Sequence, residues 1–113
     1  MISFEEITVS ELYAAVASST SIRLFFALMA HLDLECLQFD VTTAFLHAKL
    51  PNDVFVYVRQ PTGFSDGTNR VCRLRRALYG LRGSPSWWLR TFQGVLKELG
   101  FKSLLSNIYL FRH

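Results

Sequence analysis

Asp40 ends an apolar run, Leu37-Gln38-Phe39-Asp40, and a small polar turn, Val41-Thr42-Thr43-Ala44, leads from it into Phe45 and Leu46. A carboxylate at the end of a core strand is costly to desolvate and must find donors or a cation. Two chemistries meet that need: a cap or turn in which Asp40 accepts backbone N–H bonds, or a metal site at the edge of the strand. A second chemistry-bearing set is cationic. Between Gly67 and Lys97 the chain carries Arg70, Arg73, Arg75, Arg76, Arg82, Arg90 and Lys97 and no acid. A one-sign block of that length suits a polyanion such as a nucleic-acid backbone; interrupted by apolar residues, it equally describes a solvated surface. Cys36 and Cys72 have no CxxC partner and both lie in apolar runs, so buried free thiols in a reducing, intracellular compartment (cytoplasmic or nuclear) are expected.

These residues need a scaffold, and the composition supplies one. The chain has 113 residues, half of them apolar, and ten are Phe. That is material for one domain or a piece of a larger one, and it excludes general disorder. The start, Met1-Ile2-Ser3-Phe4-Glu5-Glu6, has neither the basic nor the apolar region of a signal peptide. The longest apolar stretch, around Leu24 to Leu34, is broken by His31 and Asp33 and is too short to span a bilayer.

Periodicity places the elements. A helical turn or two fits Val9 to Ala17. Ile22, Phe25, Phe26, Met29 and Leu32 mark a buried amphipathic helix over 21–33, with its cap among Ser19, Thr20 and Ser21. Glu35 to Asp40 reads as a strand, Thr42 to Leu46 as a turn passing into a short helix, and Pro51-Asn52-Asp53 as a loop. Val54 to Val58 is rich in β-branched and aromatic residues and reads as a strand; Pro61 to Asn69 is a loop; Val71 to Arg75 alternates as a half-exposed strand does. Ser84-Pro85 fits a cap followed by proline at the first helical position. Trp88, Phe92, Val95, Leu96 and Leu99 then mark a helix face that stops at Gly100; Trp87 beside Trp88 cannot lie on the same face, so one of the two is at an edge or an interface. Ser106 to Phe111 fits a last strand. The fold class expected is α+β, a short mixed or antiparallel sheet with two main helices packed on it.

The order of these pieces resembles the reverse transcriptase domain of copia-type retrotransposons. The matching stretches are Ser21-Ile22-Arg23 with its helix, Gln38 to Leu46, Gln60-Pro61-Thr62-Gly63-Phe64, Val71 to Leu74, Leu78-Tyr79-Gly80-Leu81-Arg82 with Pro85, Trp88, and Gly100-Phe101. No one of them is diagnostic, but the ordered set is specific, and it points to one domain over 1–113 that matches best over 19–113.

The resemblance implies part of the fingers and palm of a right-hand polymerase, RNA-directed DNA synthesis, an RNA template and DNA primer as partners, and Mg²⁺. It puts the first of the family's three metal-holding carboxylates on Asp40. Backbone N–H groups of Thr43 and Ala44 fall where triphosphate oxygens are cradled, Phe45 under the sugar, and Tyr79 and Gly80 in the loop lining the nucleotide pocket. Apart from the resemblance, the basic block itself offers Arg73 and Arg75, two apart on one strand face, with Arg76 and Arg82 after them, as the residues expected to meet nucleic acid. Thr42 departs from the family's usual Lys, and Arg82-Gly83-Ser84-Pro85-Ser86 from a Lys-Gln-Ala-Pro-Arg pattern. The family's Tyr-x-Asp-Asp hairpin follows a strand similar to Ile108–Phe111, and the sequence reaches His113 without it. The expectation is a catalytically incompetent fragment that binds no Mg²⁺ of its own and binds nucleic acid weakly or not at all. The alternative is a non-enzymatic relict or an interaction module derived from the same domain.

Overall fold

The computed structural model of the protein describes residues 16–104 and 107–113. The helical reading of Val9 to Ala17 lies almost wholly outside them. The described elements are α1 (Ser19–His31), a 3-10 turn (Ala44–His47), β1 (Tyr57–Arg59), β2 (Val71–Arg73), α2 (Ser84–Glu98), β3 (Lys102–Leu104) and β4 (Asn107–Arg112).

α1 begins one residue earlier than the serine cluster suggested. Ser18 is the cap: its hydroxyl accepts the Ser21 N–H at 3.2 Å and its carbonyl accepts the Ile22 N–H at 3.0 Å. At the far end Asp33 takes a left-handed conformation (φ 52°), and the Leu34 N–H reaches the Met29 carbonyl at 2.9 Å. That is a Schellman stop with an acid where glycine is usual, which is why the sequence carried the helix to residue 33. α2 stops in the same manner with the expected residue. Gly100 has φ +90°, its N–H meets the Lys97 carbonyl at 3.0 Å, and the Phe101 N–H meets the Leu96 carbonyl at 2.9 Å.

The sheet is two antiparallel hairpins. β1 pairs with β2 in the register Tyr57↔Arg73, Val58↔Cys72, Arg59↔Val71. β3 pairs with β4 with a register shift between Ser103 and Leu104. The first hairpin continues past its named strands. Leu74 N donates to Val56 O at 2.9 Å, Leu50 N to Arg75 O at 3.3 Å, and Ala77 N to Ala48 O at 2.9 Å, with Lys49 bridged to Arg76. Residues 48–50 therefore run antiparallel to 75–77 and carry the ladder toward α2.

The core is small and lies there. Ala48, Val56, Ala77, Leu81 and Trp87 are buried, with Phe45, Leu50, Val54, Leu74, Leu78 and Trp88 packed around them. Only the first turn of α2 reaches this cluster, so Trp87 is the core tryptophan while Val95 and Leu99 stand exposed. The expected face beginning at Trp88 is displaced because apolar spacing along the helix does not reveal how far the core extends beneath it. Trp88 is half-buried and stacks on Phe92 at 5.6 Å.

Three further expectations are corrected. α1 buries no residue, so it is not packed on a sheet; Phe25, Phe26, Leu28 and Leu32 all face outward. Residues 34–41 contain no strand, and Leu37 is 91% exposed, because extended chain becomes a strand only when a neighbour completes its ladder. Cys36 and Cys72 are exposed free thiols. No helix among the described residues is long and apolar enough to cross a membrane.

The tip of the first hairpin is fixed by side chains. Asp66 accepts from the Thr68 hydroxyl (2.6 Å), the Thr68 N–H (3.0 Å) and the Gln60 amide (2.9 Å), and pairs with Arg70. Gln60 closes the ring by accepting the Asp66 N–H at 2.7 Å and donating to the Arg70 carbonyl at 3.0 Å. These donors, the Thr68 hydroxyl first, hold the Asp66 carboxyl well below the usual carboxylate range. A depressed folded-state pKa means the contribution is complete above the ordinary Asp pKa of about 4 and fades as pH falls below it. The site is solvent-facing, so the effect is local. Amide-exchange protection at Thr68 is expected to weaken on acidification below that value and to be absent at all pH values in Asp66→Ala. Protection that is unchanged in the variant would contradict the network.

Candidate functional site

The 3-10 turn sets the geometry of the site. Thr43 sits in the left-handed region (φ 52°, ψ 42°), and its hydroxyl donates to the Thr42 carbonyl at 2.7 Å. Leu46 N then donates to Thr43 O and Ala48 N to Phe45 O, each at 3.0 Å. The His47 ring nitrogen Nε2 lies 3.3 Å from the Thr42 carbonyl and ties the turn across its base. A sharp reversal after Asp40 is what presents Phe45 sideways, toward α2 and the loop before it.

That loop is residues 78–83. Gly80 has φ +93°, a conformation that strains any residue with a Cβ. It turns the Tyr79 ring onto Phe45, with centroids 4.7 Å apart and planes inclined by 41°. The backbone of the loop is held from below by Ser84, which is fully buried and donates its hydroxyl to the Leu78 carbonyl at 2.5 Å. Sequence reading gave Ser84 a cap's role. The cap position is in fact Gly83, and the Ser84 side chain points back at the loop. The signal was its place next to Pro85, which marks a helix start but does not say which way a serine turns.

Gly83 is constrained from the other side. A Cβ there would lie 2.7 Å from Cε2 and Cη2 of Trp87, so the indole packs directly on the bare Cα. The Trp87 Nε1–H is buried without a hydrogen-bond partner. The paired rings are thus mounted on a continuous stack: Phe45 on Tyr79, the Tyr79 loop on Ser84, and the start of α2 on Trp87. Phe45 is half-buried and Tyr79 is 60% exposed, which leaves one ring surface open to solvent.

Asp40 lies five residues before Phe45. It is exposed, and its carboxylate makes no hydrogen bond or ion pair with the described residues. Among the described residues no three His, Cys, Asp or Glu side chains gather where they could hold a metal ion. A pair of Mg²⁺ ions, which needs several hard oxygen ligands at once, does not fit Asp40 as it stands.

The four arginines expected to face nucleic acid are not equivalent. The Arg76 guanidinium donates to the His47 carbonyl at 2.8 Å and braces the turn. Arg73 lies over the Phe55 ring at 4.4 Å. Arg75 contributes to an open groove with Arg73, and Arg82 is exposed before α2. The structure therefore brings Phe45, Tyr79 and Gly80 together, gathers no set of three potential metal ligands around Asp40 among the described residues, and divides the arginines between bracing and exposure.

A family model described as reverse transcriptase (RNA-dependent DNA polymerase) matches residues 2–112. The retrovirus-related Pol polyprotein from transposon TNT 1-94 of Nicotiana tabacum is 41% identical over 99 residues, covering 86% of this chain and 7% of that protein. The corresponding polyprotein from transposon RE1 of Arabidopsis thaliana is 38% identical over 104 residues, 90% of this chain and 7% of the relative. The putative transposon Ty5-1 protein of Saccharomyces cerevisiae is 39% identical over 64 residues, 55% of this chain and 20% of the relative. The chain thus spans less than a tenth of the length of the plant polyproteins it matches. No solved structure matches. The ordered motifs, the α+β elements and these relatives agree: the chain belongs to the reverse transcriptase (RNA-dependent DNA polymerase) family and is part of a copia-type reverse transcriptase domain.

Proposed function

We propose that these residues are a stretch of the fingers and palm of a copia-type reverse transcriptase that presents a nucleotide-facing surface. On its own the chain does not polymerise. The observation that carries the reading is the Phe45–Tyr79 ring contact, mounted on Gly80 and Ser84 and open to solvent on one side. Phe45 supports the sugar of an incoming nucleotide, Tyr79 and Gly80 line its pocket, and the N–H groups of Thr43 and Ala44 meet triphosphate oxygens. Asp40 supplies one metal-holding carboxylate to a larger set, and template and primer run past the arginine block. Catalysis needs the rest of the carboxylates, because a single exposed acid cannot fix two divalent ions at reacting distance.

A second reading, a non-catalytic interaction module of the same origin, is favoured by one feature. α1 and the chain after it expose Phe25, Phe26, Leu28, Leu32, Leu37 and Phe39 together, more apolar surface than an isolated domain usually leaves uncovered.

An amide-detected NMR titration with a deoxynucleoside triphosphate separates the two. The first reading expects millimolar binding, with shifts concentrated at Thr43, Ala44, Phe45 and Gly80. Shifts confined to α1, or none at saturating nucleotide, would overturn it.

A further inference from the structure

α1 is specified locally at both ends, by the Ser18 hydroxyl at its start and by the left-handed Asp33 after it, yet none of its residues is buried against the described chain. A 13-residue helix without tertiary cover is marginal in water, because propagation over so few residues barely offsets the cost of the first turn. Its sequence does not suit a solvated helix either. Ile22, Phe25, Phe26 and Met29 fall within about 100° of one another around the axis, and the first three are each about half exposed. Leu32, Leu37 and Phe39 carry the apolar surface on beyond the helix. An apolar stripe of that width needs an apolar partner.

The charges around the stripe select the partner. α1 contains no acid; Arg23 lies at the edge of the stripe in the first half of the helix, and Asp33 and Glu35 follow its C-terminal end. None of these three takes part in an ion pair among the described residues. Two copies of α1 laid antiparallel bring Arg23 of each toward the Asp33 and Glu35 end of the other, so a single surface supplies both members of each pair. A parallel arrangement sets Arg23 against Arg23 and acid against acid, which repels. A two-fold axis that repeats one patch on both subunits is also the commonest form of homo-oligomer. The size is adequate. A fully buried Phe hides about 150–250 Å², so a half-exposed large side chain offers roughly 100 Å². The seven apolar residues of the stripe and its extension then offer roughly 700–800 Å² per copy, close to the about 800 Å² that each partner buries in a standard interface.

We infer that α1 and the chain after it form the self-complementary face of a two-fold dimer, in which α1 packs antiparallel on α1 of a second copy and Arg23 meets Asp33 or Glu35 across the interface. The inference rests on the reading of this face as an interaction surface and names its occupant. Ordering of α1 and association are then one event, since the second copy supplies the cover the helix lacks. Part of the association free energy goes into that ordering, so the dimer sits at the weak end for an interface of this size, with a Kd of about micromolar. The core around Trp87 contains no residue of α1 and stays folded in the monomer.

The experiment is sedimentation velocity of the 113-residue protein over about a hundredfold range of concentration around micromolar, with far-ultraviolet circular dichroism on the same samples. A monomer is expected to give way to a closed dimer, and helical ellipticity to rise over the same range. Phe25→Glu is expected to remain monomeric throughout. Phe25→Ala, which keeps the helix propensity, is expected to weaken the dimer about tenfold or more. Val95→Glu, the same kind of change at an exposed apolar residue of α2, leaves the dimer intact. Arg23→Glu is expected to weaken it about fivefold, and Glu35→Arg added to Arg23→Glu to recover the loss. Near-ultraviolet circular dichroism of the tryptophans checks that the core is folded in every variant. A dimer that survives Phe25→Glu would place association elsewhere and remove the interaction reading of this face together with the pairing. A monomer at every concentration would overturn the second copy alone: slow amide exchange in α1 would then mean that another part of the polypeptide covers the face, and fast exchange that the face is open to a different partner. Open-ended growth in place of a closed dimer would contradict the two-fold geometry, as would an Arg23→Glu loss that Glu35→Arg deepens.

Discussion

Trp87→Ala is expected to abolish cooperative folding of the described core, whereas Trp88→Ala leaves it folded. Removing a buried tryptophan costs about 3–5 kcal/mol, and whole domains are stable by only about 5–15 kcal/mol. Here the core consists of Trp87 with Ala48, Val56, Ala77 and Leu81, so the indole is its largest single member. Trp88 is half-buried and loses chiefly its stacking on Phe92. Gly83→Ala is expected to act like Trp87→Ala, because a Cβ at Gly83 and the indole claim the same space and one of them must move. Urea unfolding followed by far-ultraviolet circular dichroism measures all three. A broad, non-cooperative transition is expected for Trp87→Ala and Gly83→Ala. If Trp88→Ala proves the more damaging variant, the account of the core is wrong.

The same tryptophan pair shows what could and could not be seen in the sequence. The helix itself was legible from Ser84-Pro85 at one end and Gly100 at the other, since proline and glycine act through local backbone geometry. Which tryptophan turned inward was not, because that depends on where the hairpin lands, and the hairpin lands on the first turn only. The turn after Asp40 and its short helix were legible for the same local reason. The Glu35–Asp40 strand was not, since a strand requires a partner and no neighbouring segment supplies one among the described residues. Cys36 and Cys72 were misplaced inside by the same error: apolar neighbours in sequence do not bury a residue unless something covers it.

The site divides similarly. Phe45, Tyr79 and Gly80 came from ordered motifs, and the structure places the two rings in contact. Ser84 was read only as a helix cap, and Lys49 was not named. A buried serine hydroxyl aimed at the Leu78 carbonyl and a lysine bridged opposite Arg76 are facts of tertiary pairing that sequence spacing does not encode. Arg76 was named for its charge, yet its geometry makes it a brace for the His47 carbonyl.

The second large effect concerns activity. Among the described residues Asp40 belongs to no set of three potential metal ligands, and two-metal phosphoryl transfer depends on a set of oxygen ligands acting as a unit. The purified 113-residue chain is therefore expected to extend no primer on an RNA template, at any Mg²⁺ or Mn²⁺ concentration. Supplying the rest of the polymerase domain in one polypeptide is expected to restore synthesis, and Asp40→Ala in that longer protein to remove it. The most direct measurement is primer extension by the two proteins side by side. The account predicts extension by the longer protein alone; template-dependent extension by the 113-residue chain that disappears in Asp40→Ala would contradict it.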